Sequence, residues 1–568
     1  MQRAWVKRMS NLLLHPGLVL IIGGMLMSLC APRLRTGLQL GLPLLALFLV
    51  WQIPDGVAHQ LSFMDQLLTP IRSDALSRLF ATIFALMAAV GGLYALNQPS
   101  RLEIAAAYGY AGSAIGVCFA GDLLTLFVFW ELMAIGSSLV LWSSGTTASG
   151  RAAQRYILIH ILGGVLLFAG IAGHVQSGAG LEFSAMRADN LSNLLILAGM
   201  LVNAGAPPFS AWLPDAYPEA SWSGTVFLSA FTTKTAVYTL IRGFPGNEIL
   251  IWIGLFMVFY GIVYALLEND MRRILAYSIV NQVGFMVAGI GIGTEMALNG
   301  AAAHAFTHII YKALLLMSAG AVLMQTARSK CSELGGLFHS MPLTTVCACI
   351  GALAISSFPL TSGFVSKSMV TQAAADGHLL WVWLLMTAAS AGVFLHAGIK
   401  FPWFVFFQKD SGLRPAEPAL SMRLAMLILS ALCIVIGVWP ELLYRLLPFE
   451  VNYAPYTAGH VIAQLQLLLF SGLAFFVLLG YLKRTPTITL DTDWFWRRAL
   501  PGTASWLAQW RITIIGLCSP LERWVSRFSN VVSAAIGVRG PLSGTWSLAT
   551  MGLAVVILLI VQLVVVMS

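Results

Sequence analysis

The chain has 568 residues, of which 58% are apolar and only 10% charged, with a net charge of +9 and a mean hydropathy of +0.83. A soluble domain carries about 25% charged residues, so this composition excludes an ordinary soluble enzyme, a disordered chain and a dedicated nucleic-acid binder. The 32 Lys and Arg are scattered in short polar gaps between apolar runs, the mark of an all-α polytopic membrane protein.

A spanning helix needs about 20 predominantly apolar residues, and in chain order sixteen runs meet that need. The first eight are expected near 12–29, 37–51, 76–96, 104–120, 123–142, 156–175, 191–216 and 221–242. The last eight are expected near 249–267, 274–293, 296–323, 343–374, 379–398, 420–443, 461–482 and 548–567. Arg3, Lys7 and Arg8 precede the first run, but no small-residue cleavage signal follows it, so it reads as a span and not as a signal peptide. The seven cysteines show no C-x-x-C spacing and lie mostly in or beside apolar runs, so neither a disulfide framework nor a metal site is expected.

Numbering the spans sorts the cations. Twenty-one, including Arg33, Arg101, Arg155, Arg272, Lys330 and Lys400, fall in odd-numbered gaps, against eight in even-numbered gaps and at the N-terminus. The positive-inside rule then puts the odd gaps in the cytoplasm and both termini outside. Three lysines remain, Lys234, Lys312 and Lys367, and all lie inside spans. A Lys at the bilayer centre costs about 2.5–3.5 kcal/mol on insertion scales, so such groups are functional candidates, with snorkelling from near a span end as the alternative.

Glu131 is the one carboxylate in mid-span. A carboxyl alone in lipid is held neutral, whereas one beside an ammonium keeps both groups charged, so Glu131 calls for a cationic partner. A fixed pair that pins two helices and a mobile pair that changes a lysine's proton affinity both satisfy that need. In the eleventh span His304, His308 and Lys312 recur every four residues, which places them on one helical stripe over about 12 Å of rise. Imidazoles donate and accept at their two nitrogens, so the stripe has the form of a proton wire. Helix-packing histidines are the structural alternative, and a metal site lacks the Glu of H-E-x-x-H and a third ligand.

Two spans are interrupted in mid-membrane, at Asn203–Trp212 around Pro207 and Pro208, and at Ser357–Phe364 around Pro359. Proline frees a carbonyl that lipid cannot satisfy, so such breaks belong beside protein or water. They are five spans apart and hence in oppositely oriented helices, the pattern of inverted five-span repeats with an ion path between them. The expected organisation is residues 1–102 (spans 1–3), 103–242 (first repeat), 243–402 (second repeat), 403–482 (spans 14 and 15) and 483–568. The last holds an amphipathic stretch, rich in Trp and Arg and suited to the cytoplasmic interface or to a neighbouring subunit, and then a final span.

The stretches Phe-Trp-Glu131-Leu, Trp212-Leu-Pro-Asp-Ala, Thr-Lys234-Thr-Ala-Val-Tyr, Asp270-Met-Arg-Arg-Ile-Leu-Ala-Tyr-Ser, His304 to Leu315 and Ser-Gly363-Phe-Val-Ser-Lys367 together resemble the antiporter-like proton-translocating subunits of respiratory complex I. They look closest to the D-type subunits of Mrp-type Na+/H+ antiporters. The resemblance implies a core of fourteen helices with two of them discontinuous. It also implies Glu131 as the glutamate that tunes the central lysines, Lys234 as the eighth-span lysine, His304, His308 and Lys312 as the central relay, and Lys367 as the terminal group. One position departs: many relatives carry lysine where this chain has Asn203, and histidine where it has Ser210.

The expected function is a subunit that moves H+, with Na+ or K+ as candidate coupled ions, in a bacterial inner membrane beside other membrane subunits and without a cofactor of its own. NADH:quinone oxidoreductase activity would belong to a whole assembly. The alternatives are a non-conducting assembly subunit, which Asn203 suggests, and the membrane subunit of an inorganic-carbon transporter.

Overall fold

The computed structural model describes residues 14–63, 66–482 and 491–499, with isolated positions beyond, and divides the chain into two units at residues 489 and 490. The basic residues before the first span, most of the amphipathic stretch and most of the sixteenth span lie outside the described residues. In the second unit, Phe495–Ala499 forms a π-helical turn and Arg497 pairs with Asp493 at 2.8 Å.

The helices of the first unit are α1 (Pro16–Leu29), α2 (Pro32–Val50), α3 (Ala75–Tyr94), α4 (Arg101–Phe119), α5 (Leu123–Trp142), α6 (Thr147–Gln176), α7 (Leu191–Ala204), α8 (Trp212–Ala216), α9 (Gly224–Ala230) and α10 (Thr232–Gly243). They continue with α11 (Ile249–Leu267), α12 (Met271–Ile292), α13 (Glu295–Thr326), α14 (Pro342–Ile355), α15 (Ser362–Asp376), α16 (Leu380–Val393), α17 (Leu420–Val438) and, after a single turn, α18 (Ala458–Val477). Among the described residues, eleven helices are long and apolar enough to cross a membrane. With the shorter apolar α1, α7 and α14 and the α9–α10 pair, they make fifteen passes among the described residues.

The polar residues at the gaps stop and start these helices. Asp74 accepts from Ser77 N and closes a capping box on α3, Asp122 caps α5, Asp270 accepts from Arg272 N and Arg273 N at α12, and Thr294 caps α13. Each serves donors that a helix start leaves without partners. Asp74 also faces Arg242: burial pushes its carboxyl up, but the guanidinium and the Ser77 amide outweigh burial and hold it below the usual carboxylate range.

The gaps segregate onto two faces. On one, the gap after α2 folds into an antiparallel hairpin, β1 (Gly56–Phe63) with β2 (Gln66–Ser73), an element the span count does not foresee. Thr69 N donates to Asp122 Oδ2 at 2.7 Å, Gly121 N donates to Thr69 O at 2.8 Å, and Arg72 pairs with Glu182 at 3.3 Å. The hairpin thus ties down the ends of spans 4 to 6. On the opposite, cationic face, Arg272 donates to Ala220 O at 2.7 Å, the loop after α11 meets that after α13 through Asp270 and Lys330, and Glu417 accepts from Thr344 Oγ1 at 2.6 Å.

The interior is built on α12 and α13, which are almost wholly buried, whereas α2 and α18 turn most of their surface outward. Where α12 ends, Gly293 has φ +75° and a Cβ there would collide with the Gly246 backbone. Gly293→Val therefore meets both the left-handed penalty of about 1–2 kcal/mol and a backbone clash. It is expected to lower the thermal unfolding midpoint in detergent clearly, while Gly41→Ala, at an open position on α2, leaves it unchanged or higher.

Candidate functional site

Among the described residues three passes are discontinuous, one more than the sequence suggests. The seventh breaks between α7 and α8, where Gly205 ends the helix at φ +78° and Trp212 Nε1 donates back to Val202 O at 2.9 Å. The twelfth breaks between α14 and α15, around Pro359. The eighth, expected to be continuous, breaks at Phe231 between α9 and α10. This break has no proline to announce it: Lys234, in the first turn of α10, donates its ammonium to Ser229 O at 2.6 Å. A cation at the carbonyl end of a helix is where the helix dipole favours it.

That bond corrects the expected pairing. Glu131 and Lys234 form no ion pair; Lys234 is fully buried on Ser229 O, and Glu131 Oε1 is buried without a hydrogen-bond partner. Glu131 instead lies against α6, where a Cβ on Gly164 would collide with Oε1. From the other side Asn203 of α7 approaches the neighbouring Gly163, at 3.6 Å from where a Cβ would stand. The two glycines thus separate a partly exposed carboxylate from a fully buried amide whose two polar atoms have no partner.

The stripe on α13 forms as the four-residue spacing predicts. His304 Nε2 meets Gln282 Oε1 at 3.1 Å, and Lys312 Nζ donates to Ser278 Oγ at 2.9 Å and to Leu275 O at 3.4 Å, so the stripe faces a matching polar row on the antiparallel α12. His308 lies between them, its ring centroid 6.2 Å from that of His304, with neither ring nitrogen hydrogen-bonded. Lys234 stands close enough for its charge to act on His304, His308 and Lys312.

The break in the twelfth pass brings the last group in. Ser366 Oγ lies 3.3 Å from His304 Nδ1 and 2.7 Å from Thr307 Oγ1. Next to it, Lys367 Nζ sits over the Phe285 ring at 4.3 Å with no hydrogen-bond partner. A buried ammonium over an aromatic face is attracted to it but keeps three donors to offer. Lys234, His304, His308, Lys312 and Lys367 are therefore brought into one buried region by α10, α12, α13 and α15, while Glu131 stands apart against α6.

Several members escape the sequence reading. Gln282, Ser278 and Ser366 are ordinary polar residues until their partners are known. His160 stacks on Tyr156 at 3.9 Å and has its Nε2 unpartnered; as an ionisable residue in the sixth run it was detectable by the argument applied to the lysines. Lys400, which gap counting assigns to the cationic face, is in fact 2% exposed. Its signal was the same spacing as on α13, because His396 precedes it by four residues.

One pair at the site's edge is structural. Arg155 grips Asp215 with two hydrogen bonds, at 2.7 and 2.9 Å, and fixes α8 to α6. The carboxylate is 4% exposed and the guanidinium 27%. Removing one partner of a buried pair costs about 3 kcal/mol, so Arg155→Ala is expected to lower the unfolding midpoint in detergent, and the double change with Asp215→Asn to recover part of the loss.

Known proteins resemble this chain over the same region. Residues 120–392 match the family model described as NADH:quinone oxidoreductase/Mrp antiporter, TM. The chain is 30% identical over 400 residues to the A/B-type subunit of a probable K(+)/H(+) antiporter of Rhizobium meliloti, covering 65% of this chain and 40% of that one. It is 28% identical over 402 residues to the D-type subunit of the Na(+)/H(+) antiporter of Alkalihalophilus pseudofirmus, covering 64% and 81%. The fold is similar to a chain of the Mrp complex from a Dietzia species, with a TM-score of 0.77, 24% identity, and coverage of 92% of this chain and 62% of that one. The matched residues 120–392 of this multi-pass membrane chain hold the three breaks together with Glu131, Lys234, His304, His308, Lys312 and Lys367.

Proposed function

We propose that this chain is a proton-translocating membrane subunit of a multisubunit cation/proton antiporter or complex-I-like assembly, seated in a bacterial inner membrane with its cationic face in the cytoplasm and both termini outside. The observation that carries the reading is the buried file on α13, with His304, His308 and Lys312 facing α12 and Ser366 linking His304 toward Lys367. Residues 103–242 and 243–402 are the two repeats, the first supplying Lys234 and the second the file. H+ is the moved ion, and Na+ or K+ the counter-ion in an antiporter assembly.

Coupling needs no direct contact. At an effective dielectric constant of about 20, two unit charges about 10 Å apart interact by about 1.7 kcal/mol, a little over tenfold in proton affinity. Loading Lys234 with a proton therefore disfavours a second charge on the file, and unloading it readmits one. Glu131 acts on this balance from α5, which packs on α9 and α10, so its position is a control on Lys234 without an ion pair. Lys234→Ala and Glu131→Gln are each expected to reduce proton transport in everted vesicles at least tenfold while the complex still assembles. Full transport in both would refute the reading.

Asn203 favours a second reading, a non-conducting assembly subunit. It is buried and unpaired behind Gly163, whereas a lysine there would bring a cation toward Glu131. Under the proposed function the native complex transports and Asn203→Lys changes the rate from an active baseline. A native chain that is silent and gains transport with Asn203→Lys would establish the second reading.

A further inference from the structure

The thirteenth pass carries an ionisable pair that the relay above does not use. Beyond α16 the chain continues as a π-helical stretch, Phe394–Lys400, that packs against α11, α12, α14 and α18. Single-turn π-segments are rare and concentrate at functional sites. This one presses on the break in the twelfth pass, since a Cβ on Gly398 would collide with Ser356 Oγ.

His396, fully buried, has Nδ1 2.8 Å from Gly392 O. A carbonyl only accepts, so Nδ1 carries the hydrogen and Nε2 is left as a bare acceptor, buried and without a partner. The stretch packs on α12, whose Leu275 and Ser278 hold the Lys312 ammonium. Four residues on, the Lys400 ammonium spends its three hydrogens on the carbonyls of Ala265 at 3.1 Å, Leu266, and Glu268 at 2.6 Å. That is the C-terminal end of α11, where the dipole favours a cation. The Glu268 side chain, in the loop on the cationic face, is 9% exposed and pairs loosely with Arg273 at 3.7 Å. Burial pushes its carboxyl up and Arg273 only partly offsets this, as suits a group that exchanges protons with solvent.

We infer that His396, Lys400 and Glu268 form a proton mouth of the second repeat, connecting Lys312 to the cationic face as Lys367 connects His304 to the opposite one. This rests on the relay proposed above. The Lys312 ammonium gives a proton to His396 Nε2, leaving a neutral amine and an imidazolium. The Lys400 ammonium gives a proton to the Glu268 carboxylate, and the neutral amine so formed takes the proton of the imidazolium, which restores the ammonium; water bridges groups that are not in contact. In the opposite direction the same steps load the file.

Lys400→Arg separates carrying a proton from capping α11, because arginine keeps the charge and the carbonyl contacts but does not release a proton. In the assembled complex in everted vesicles, Lys400→Arg and His396→Gln are each expected to lower proton transport at least tenfold, with unchanged subunit recovery and unfolding midpoint. Native rates in either variant, with Lys234→Ala inactive in the same vesicles, would overturn the mouth and leave the relay standing. Native rates in Lys234→Ala would overturn both.

Discussion

Lipid offers no hydrogen bonds, and everything in the interior of this chain follows from that. A pass that breaks in mid-membrane must find partners for the carbonyls it frees, and each break here recruits a side chain. Trp212 reaches back to Val202 O in the seventh pass and Lys234 holds Ser229 O in the eighth. In the twelfth, Gln464 of α18 donates to Ser356 O at 3.2 Å. The same need explains why the two most deeply buried helices are lined with Gln, Ser and Thr opposite the histidines and lysine of α13. Lys234 therefore serves the backbone of its own break as well as placing a buried charge beside the stripe.

Glycine sets how closely the parts approach. Gly254 and Gly261 on α11 and Gly284 on α12 leave room only for backbone, since a Cβ on any of them would meet backbone of the other helix at 2.4–2.6 Å. In membranes small residues at helix interfaces replace the hydrophobic drive that lipid removes. Gly163 and Gly164 do something different: they keep a thin wall between Glu131 and Asn203.

Much of this was legible in the sequence. Span existence and order follow from apolar run length, and the α13 stripe from spacing, because both are local properties. The breaks at Pro208 and Pro359 announce themselves through proline chemistry, whereas the break at Phe231 does not. It depends on a lysine folding back onto a carbonyl five residues earlier, a tertiary outcome with no composition signal. Charge balance asks for a cationic partner to Glu131, and Lys234 does not supply it because its ammonium is held by the Ser229 carbonyl. The burial of Lys400 was not legible because gap counting cannot see that a π-helical turn carries the thirteenth pass beyond its apolar run. The hairpin was missed for the converse reason, as its residues are too few and too mixed to register beside neighbouring spans.

The length of α13 has an electrical meaning. Its 32 residues extend about 48 Å, well beyond the roughly 30 Å of hydrocarbon, so the helix leans or projects. Under the proposed function, and with a lean of up to about 40°, the 12 Å between His304 and Lys312 would advance a proton only about 9–12 Å across the membrane. At about 2.3 kcal/mol per charge per 100 mV for the whole thickness, the central relay feels roughly a third of the field, about 0.7–0.9 kcal/mol per 100 mV. The larger part of the voltage therefore acts on the approaches at either end, so the steepest dependence on membrane potential belongs to Lys367 on one side and to the Lys400 region on the other, with the histidines between them comparatively indifferent to it.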